Sequence, residues 1–172
     1  CSKRGYHKTN VCNCERDRFP YKDCFFDVAV TSEVIEHLTD PDNYLEELNR
    51  VLKNNGVLIL TFPNVNTLIS HIITIFSDYP PKYSARYKSV HVRDYSLRVI
   101  KALLRRCGFS IILEEGVALA FLNNYVIGKT VAKYFPRFSE AVIVVAKKKR
   151  RVVKEKRKFI LSTPEIWRVS PE

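Results

Sequence analysis

FDVAV (26–30), TSEVIEHLTDPDNYLEELNRVLKNNG (31–56) and VLILTFPN (57–64) follow one another without interruption. The outer two runs are short and continuously apolar, the pattern of strands buried on both faces. Between them Tyr44, Leu45, Leu48, Val51 and Leu52 recur at helical spacing and make one apolar stripe. Asp40 is placed to cap that helix and Pro41 to open it. Lys53 suits the negative end of its dipole, and Gly56 is expected to supply a left-handed stop. Strand, helix and strand of these lengths close as a βαβ crossover, so the two strands are parallel. Ligands of open parallel sheets collect outside the carboxyl ends of the strands. Those ends are Thr31-Ser32-Glu33, leading into a short helix over residues 33–38, and Pro63-Asn64.

Working outward, residues 9–13 form a weak strand candidate and 16–24 a polar loop. Residues 66–77 carry an apolar helical pattern, followed by a basic and aromatic segment with Tyr79, Tyr83 and Tyr87. Ser96 is a cap for a helix through Cys107 that turns Leu97, Ile100, Leu103 and Leu104 inward, with Gly108 ending it. Strands are expected over 109–114 and 141–146, and partly helical chain over 118–134. The body is then residues 1–146, and 147–172 form a basic tail. Residues 147–158 hold nine basic residues against one Glu, most of the +11 net charge, so this run repels itself and extends into solvent.

A chain of 172 residues suffices for one domain with a sizeable core. It has no apolar run long enough to span a membrane. Five cysteines, an odd number, argue against a disulfide framework and for a reducing cytoplasm. Cys12 and Cys14, one residue apart in or beside the first strand candidate, are expected to be small buried hydrophobes. With no C-x-x-C pair, no metal site is expected.

The order and wording of residues 19–64, with HVRDYSL at 91–97 and LLRRCGF at 103–109, resemble the second half of a class I S-adenosylmethionine-dependent methyltransferase. The nearest likeness is to the small-molecule, quinone-biosynthesis-like group. The resemblance implies an α/β Rossmann-like three-layer sandwich with a mostly parallel sheet in the order 3-2-1-4-5-7-6. It implies S-adenosyl-L-methionine as cofactor and a small-molecule methyl acceptor. The family's Gly-rich cofactor turn is not found: the five glycines include no G-x-G, and the chain has no methionine. The first two strands, and with them the amino-terminal cofactor half, are therefore expected to be missing, which leaves the edge of residues 26–30 bare. Oligomeric state is not legible.

By the same resemblance Asn13, Cys14 and Glu15 lie near the adenine of the cofactor. Thr31, Ser32 and Glu33 lie near its methionine part. Asn64, His91, Arg93 and Tyr95 lie on the acceptor side, where an Arg suits an anionic group. His37 is a candidate general base, and Glu36 is expected to be a solvated helix residue. Each has a structural alternative: Asn13 as a turn former, Ser32 as a cap, His37 as a supporting group, Asn64 as a cap for the next helix. A second function class is a non-catalytic module that touches nucleic acid weakly through residues 147–158, with Phe159 and Trp167 available to stack on bases. A merely solubilising tail is the simpler reading.

Overall fold

The computed structural model describes residues 10–67, 70–71, 75–76, 92–117 and 132–150. The element order is β1 (Phe26–Ser32), α1 (Pro41–Val51), β2 (Leu52–Pro63), α2 (Leu97–Arg106), β3 (Phe109–Gly116) and β4 (Ala141–Lys148), with 3-10 turns at Ile35–His37 and Pro136–Phe138. The strands form one sheet in the order β1-β2-β4-β3. β1 and β2 pair in parallel, as the crossover requires, and β4 runs antiparallel between β2 and β3. β3 thus points the same way as β1 and β2. The order matches the 4-5-7-6 half that the resemblance implies. Among the described residues the sheet is mixed rather than mostly parallel, because β4 enters from the opposite end.

α1 begins as its sequence dictates. Asp40 accepts the Asn43 amide at 3.0 Å and Pro41 opens the first turn. Tyr44, Leu45, Leu48 and Val51 are buried against the sheet. α2 is capped by Ser96, whose hydroxyl accepts the Val99 amide, and it buries Leu97, Ile100, Leu103 and Leu104. Both helices pack on one sheet face, meeting Leu58, Leu60 and Phe62 of β2 and Val142, Val144 and Ala146 of β4. Fully burying a side chain of this size contributes about 1.5–3 kcal/mol, so this layer carries most of the stability.

Several local expectations are corrected. The left-handed residue after α1 is Asn55, at φ 65°, and not Gly56. Asn tolerates that region through its short polar side chain. Gly56 is still required for space, because a Cβ there would lie 2.9 Å from the Lys53 carbonyl oxygen. Lys53 pairs instead with Asp27 at 2.8 Å. The expected short helix over 33–38 shrinks to the Ile35–His37 turn. Residues 10–13 form no strand, and Cys12 lies exposed while Cys14 packs on the core edge. A strand without a ladder partner is not held. β4 runs on through Lys147 and Lys148, two residues into the basic run. Residues 70–71 and 75–76 are helical as expected. The aromatic segment at 79–91, most of 118–134 and the tail from 151 lie outside the described residues. No helix among the described residues is long and apolar enough to cross a membrane.

Candidate active site

β1 and β2 end side by side because their register pairs Ser32 with Thr61. Alternation along the strands then sorts the side chains. Thr31 points to the helix face, is buried, and its hydroxyl accepts the Tyr44 hydroxyl at 2.8 Å. Burial raises the Tyr44 phenol, an effect opposed by the Thr31 contact. Thr31 is therefore part of the core. Ser32 points the other way, with Oγ 2.8 Å from Thr61 Oγ1, and that hydroxyl also meets Glu33 Oε1 at 3.1 Å. Glu33 holds φ at 51° while its amide donates to the Thr61 carbonyl. A Glu in this region is uncommon and costs backbone energy. The result is an exposed chain of two hydroxyls and a carboxylate at the end of the parallel pair. Ser32 is spent here and does not cap the following turn. Thr61 was missed in the sequence, although it is the one polar residue in VLILTF.

The residues expected near adenine are engaged otherwise. Asn13 Oδ1 accepts the Glu15 amide at 3.0 Å, closing a local turn. Glu15 accepts the Thr39 amide and, at 2.9 Å, its hydroxyl. Those bonds hold its carboxyl below the usual range. Cys14 is partly buried, which raises its thiol. Below them Arg50 bonds Glu47, Asp23 and the Phe19 and Tyr21 carbonyls, fixing the loop before β1.

On the acceptor side, Asn64 is fully buried. Its Nδ2 donates to the Arg137 and Ser139 carbonyls at 2.9 and 2.8 Å, and its Oδ1 accepts the Asn66 amide. The amide joins β2 to the Pro136–Phe138 turn. Arg93 donates to the Thr39 carbonyl at 2.9 Å. The Val92 and Arg93 amides both donate to the Glu36 carbonyl. Tyr95 bridges to Asn64 and is buried, and among the described residues its hydroxyl has no hydrogen-bond partner. Burial pushes that phenol up to about 12. His37 is half-exposed, with Nε2 3.7 Å from Glu36 Oε1. Glu36 is 1% exposed, and among the described residues its carboxylate oxygens have no hydrogen-bond partner; the expected solvated residue is therefore buried beneath His37. His91 lies outside the described residues.

A parallel strand pair with polar residues at its carboxyl ends, in the order seen here, defines a Rossmann-like ligand-binding fold. Residues 2–60 match the family model described as Methyltransferase domain. A Mycobacterium tuberculosis protein named as an S-adenosylmethionine-dependent methyltransferase is 28% identical over 104 residues, covering 60% of this chain and 34% of that protein. The ubiquinone biosynthesis O-methyltransferase of Pelagibacter ubique is 25% identical over 119 residues, covering 66% and 48%. A solved S-adenosylmethionine-dependent methyltransferase from Thermotoga maritima superposes with a TM-score of 0.54 at 22% identity, covering 80% of this chain and 62% of that one. The match to the methyltransferase domain covers residues 2–60, and the likeness to the solved structure shows that the rest of the chain follows the same fold. The chain spans between about a third and a half of the length of these two curated relatives.

The family's cofactor is S-adenosyl-L-methionine. The strand-end group suits its methionine part, since a carboxylate and hydroxyl oxygens stabilise cationic sulfonium and ammonium groups. The adenine-side residues fit less well, because Asn13 and Glu15 have their acceptors occupied.

Proposed function

We propose that the chain contributes to S-adenosylmethionine-dependent methyl transfer onto a small-molecule acceptor. The carrying observation is the Ser32–Thr61–Glu33 group, held at the carboxyl ends of the parallel pair by a left-handed Glu. When bound, the cofactor supplies an electrophilic methyl group. Glu33 would hold the cationic part of the cofactor, and Ser32 and Thr61 would orient that carboxylate. The Val92–Arg93 amides strap the acceptor-side segment onto the Ile35–His37 turn through the Glu36 carbonyl. His37 is placed at that turn as the candidate base for an acceptor proton, a role that requires approach of the acceptor to the same end of the sheet. The name of the Pelagibacter relative supports a small-molecule acceptor of the quinone-biosynthesis type. No comparison favours the nucleic-acid reading.

The test is a calorimetric titration of the 172-residue chain with S-adenosylhomocysteine. Saturable binding that weakens in Glu33→Gln is expected. Absence of heat from a sample that melts cooperatively would refute the proposal for this chain.

A further inference from the structure

A cleft of about 550 Å³ opens beside the top of the sheet, lined by Ser96, Arg98, Lys101, Arg105, Glu114 and Arg137, among others. It lies between α2, the upper part of β3 and the Pro136–Phe138 turn. None of these residues belongs to the strand-end group. Among the described lining residues, four cations and one carboxylate leave three positive charges. Lys101 Nζ lies 2.7 Å from Glu114 Oε2, yet the pair is off hydrogen-bond alignment. Among the described residues no carboxylate pairs with Arg98, Arg105 or Arg137.

Helix physics alone argues against this arrangement. Arg98, Lys101 and Arg105 stand three and four residues apart on α2, where like charges repel. Arg98 also occupies the first turn, at the positive end of the dipole, and that turn holds no acidic residue to compensate. Arg137 enters from the opposite wall, its guanidinium carbon 5.5 Å from the Phe138 ring centroid, a contact that favours one orientation. An anion in the cleft offsets all of these costs at once. Guanidinium forks match tetrahedral oxyanions bidentately, and the volume is that of a small-molecule site.

We propose that this cleft binds a small phosphate-type polyanion, a phosphate monoester or pyrophosphate group carried by a ligand. Three uncompensated charges exceed what a single carboxylate requires. The inference does not rest on the cofactor reading.

The test is calorimetric titration of the full chain with sodium pyrophosphate at low salt. One saturable site is expected, weakened about tenfold in Arg98→Gln and in Arg137→Gln. Glu114→Gln is expected to tighten it, and Lys147→Gln, on the exposed side of β4, to leave it unchanged. No saturable heat from a cooperatively melting sample overturns the proposal, as does equal weakening in Lys147→Gln. Tighter binding of a single-stranded RNA oligonucleotide with the same Arg dependence overturns it in favour of a nucleic-acid surface. A chain that binds pyrophosphate but not S-adenosylhomocysteine keeps this inference and loses the cofactor reading; the reverse result loses this inference alone.

Discussion

On the helix side of the sheet Leu58, Leu60, Phe62, Val142 and Val144 are wholly shielded, whereas on the other side Val28 is 50% and Val30 67% exposed. The registers place Val30, Ile59, Val145 and Leu113 in one row across that second face, with Val28 and Val57 behind them. Both faces are apolar, yet among the described residues only one carries a helical layer. Sequence composition sets how apolar a strand face is, and tertiary neighbours decide whether that face contributes to stability. The described residues hold two layers of the three-layer sandwich expected from the resemblance.

The sharpest way to break this contrast is a pair of substitutions. Phe62→Ala on the covered face is expected to cost about 3–5 kcal/mol in urea unfolding. Val30→Thr on the bare face is expected to cost less than about 0.5 kcal/mol. Similar losses for both would show that the second face is covered in solution. Asn64→Ala comes next, because it orphans the Arg137 and Ser139 carbonyls, at roughly 1–3 kcal/mol. It should leave S-adenosylhomocysteine affinity unchanged in the folded fraction, which separates scaffold from site. Thr61→Val should do the opposite, with near-wild-type stability and affinity reduced about tenfold.

The smallest effect concerns Tyr95. Its folded phenol is raised to about 12 from an ordinary 10, so the neutral form is favoured in the fold. The sign follows: this stabilisation is complete below pH 10 and is lost as pH rises from 10 towards 12. Tyr95→Phe should remove that part of the alkaline slope and cost little at pH 7, since among the described residues the hydroxyl has no partner to lose. A steep loss at neutral pH would reveal a bond to the hydroxyl in solution.

The crossover, the Asp40 and Ser96 caps and the buried stripes of both helices were legible because each rests on local spacing. The site was legible only by region. Thr31 and Ser32 are adjacent in sequence, yet alternation sends one to the core and one to the strand-end group. Asn64 and Arg93 are the right residue types for a ligand, but they bond backbone carbonyls at residues 137, 139 and 39, which no local pattern announces. Glu36 is a charged residue buried by a turn tighter than the expected helix. The basic cleft has a partial sequence signature, the one-sided spacing of Arg98, Lys101 and Arg105, but Arg137 joins it only through the fold.

Hydrogen exchange of the chain with and without saturating S-adenosylhomocysteine tests most directly whether the strand ends of β1 and β2 form the cofactor site. Added protection concentrated in residues 31–37 and 61–66 is the expected result. Protection confined to other segments, with these amides unchanged, would contradict it.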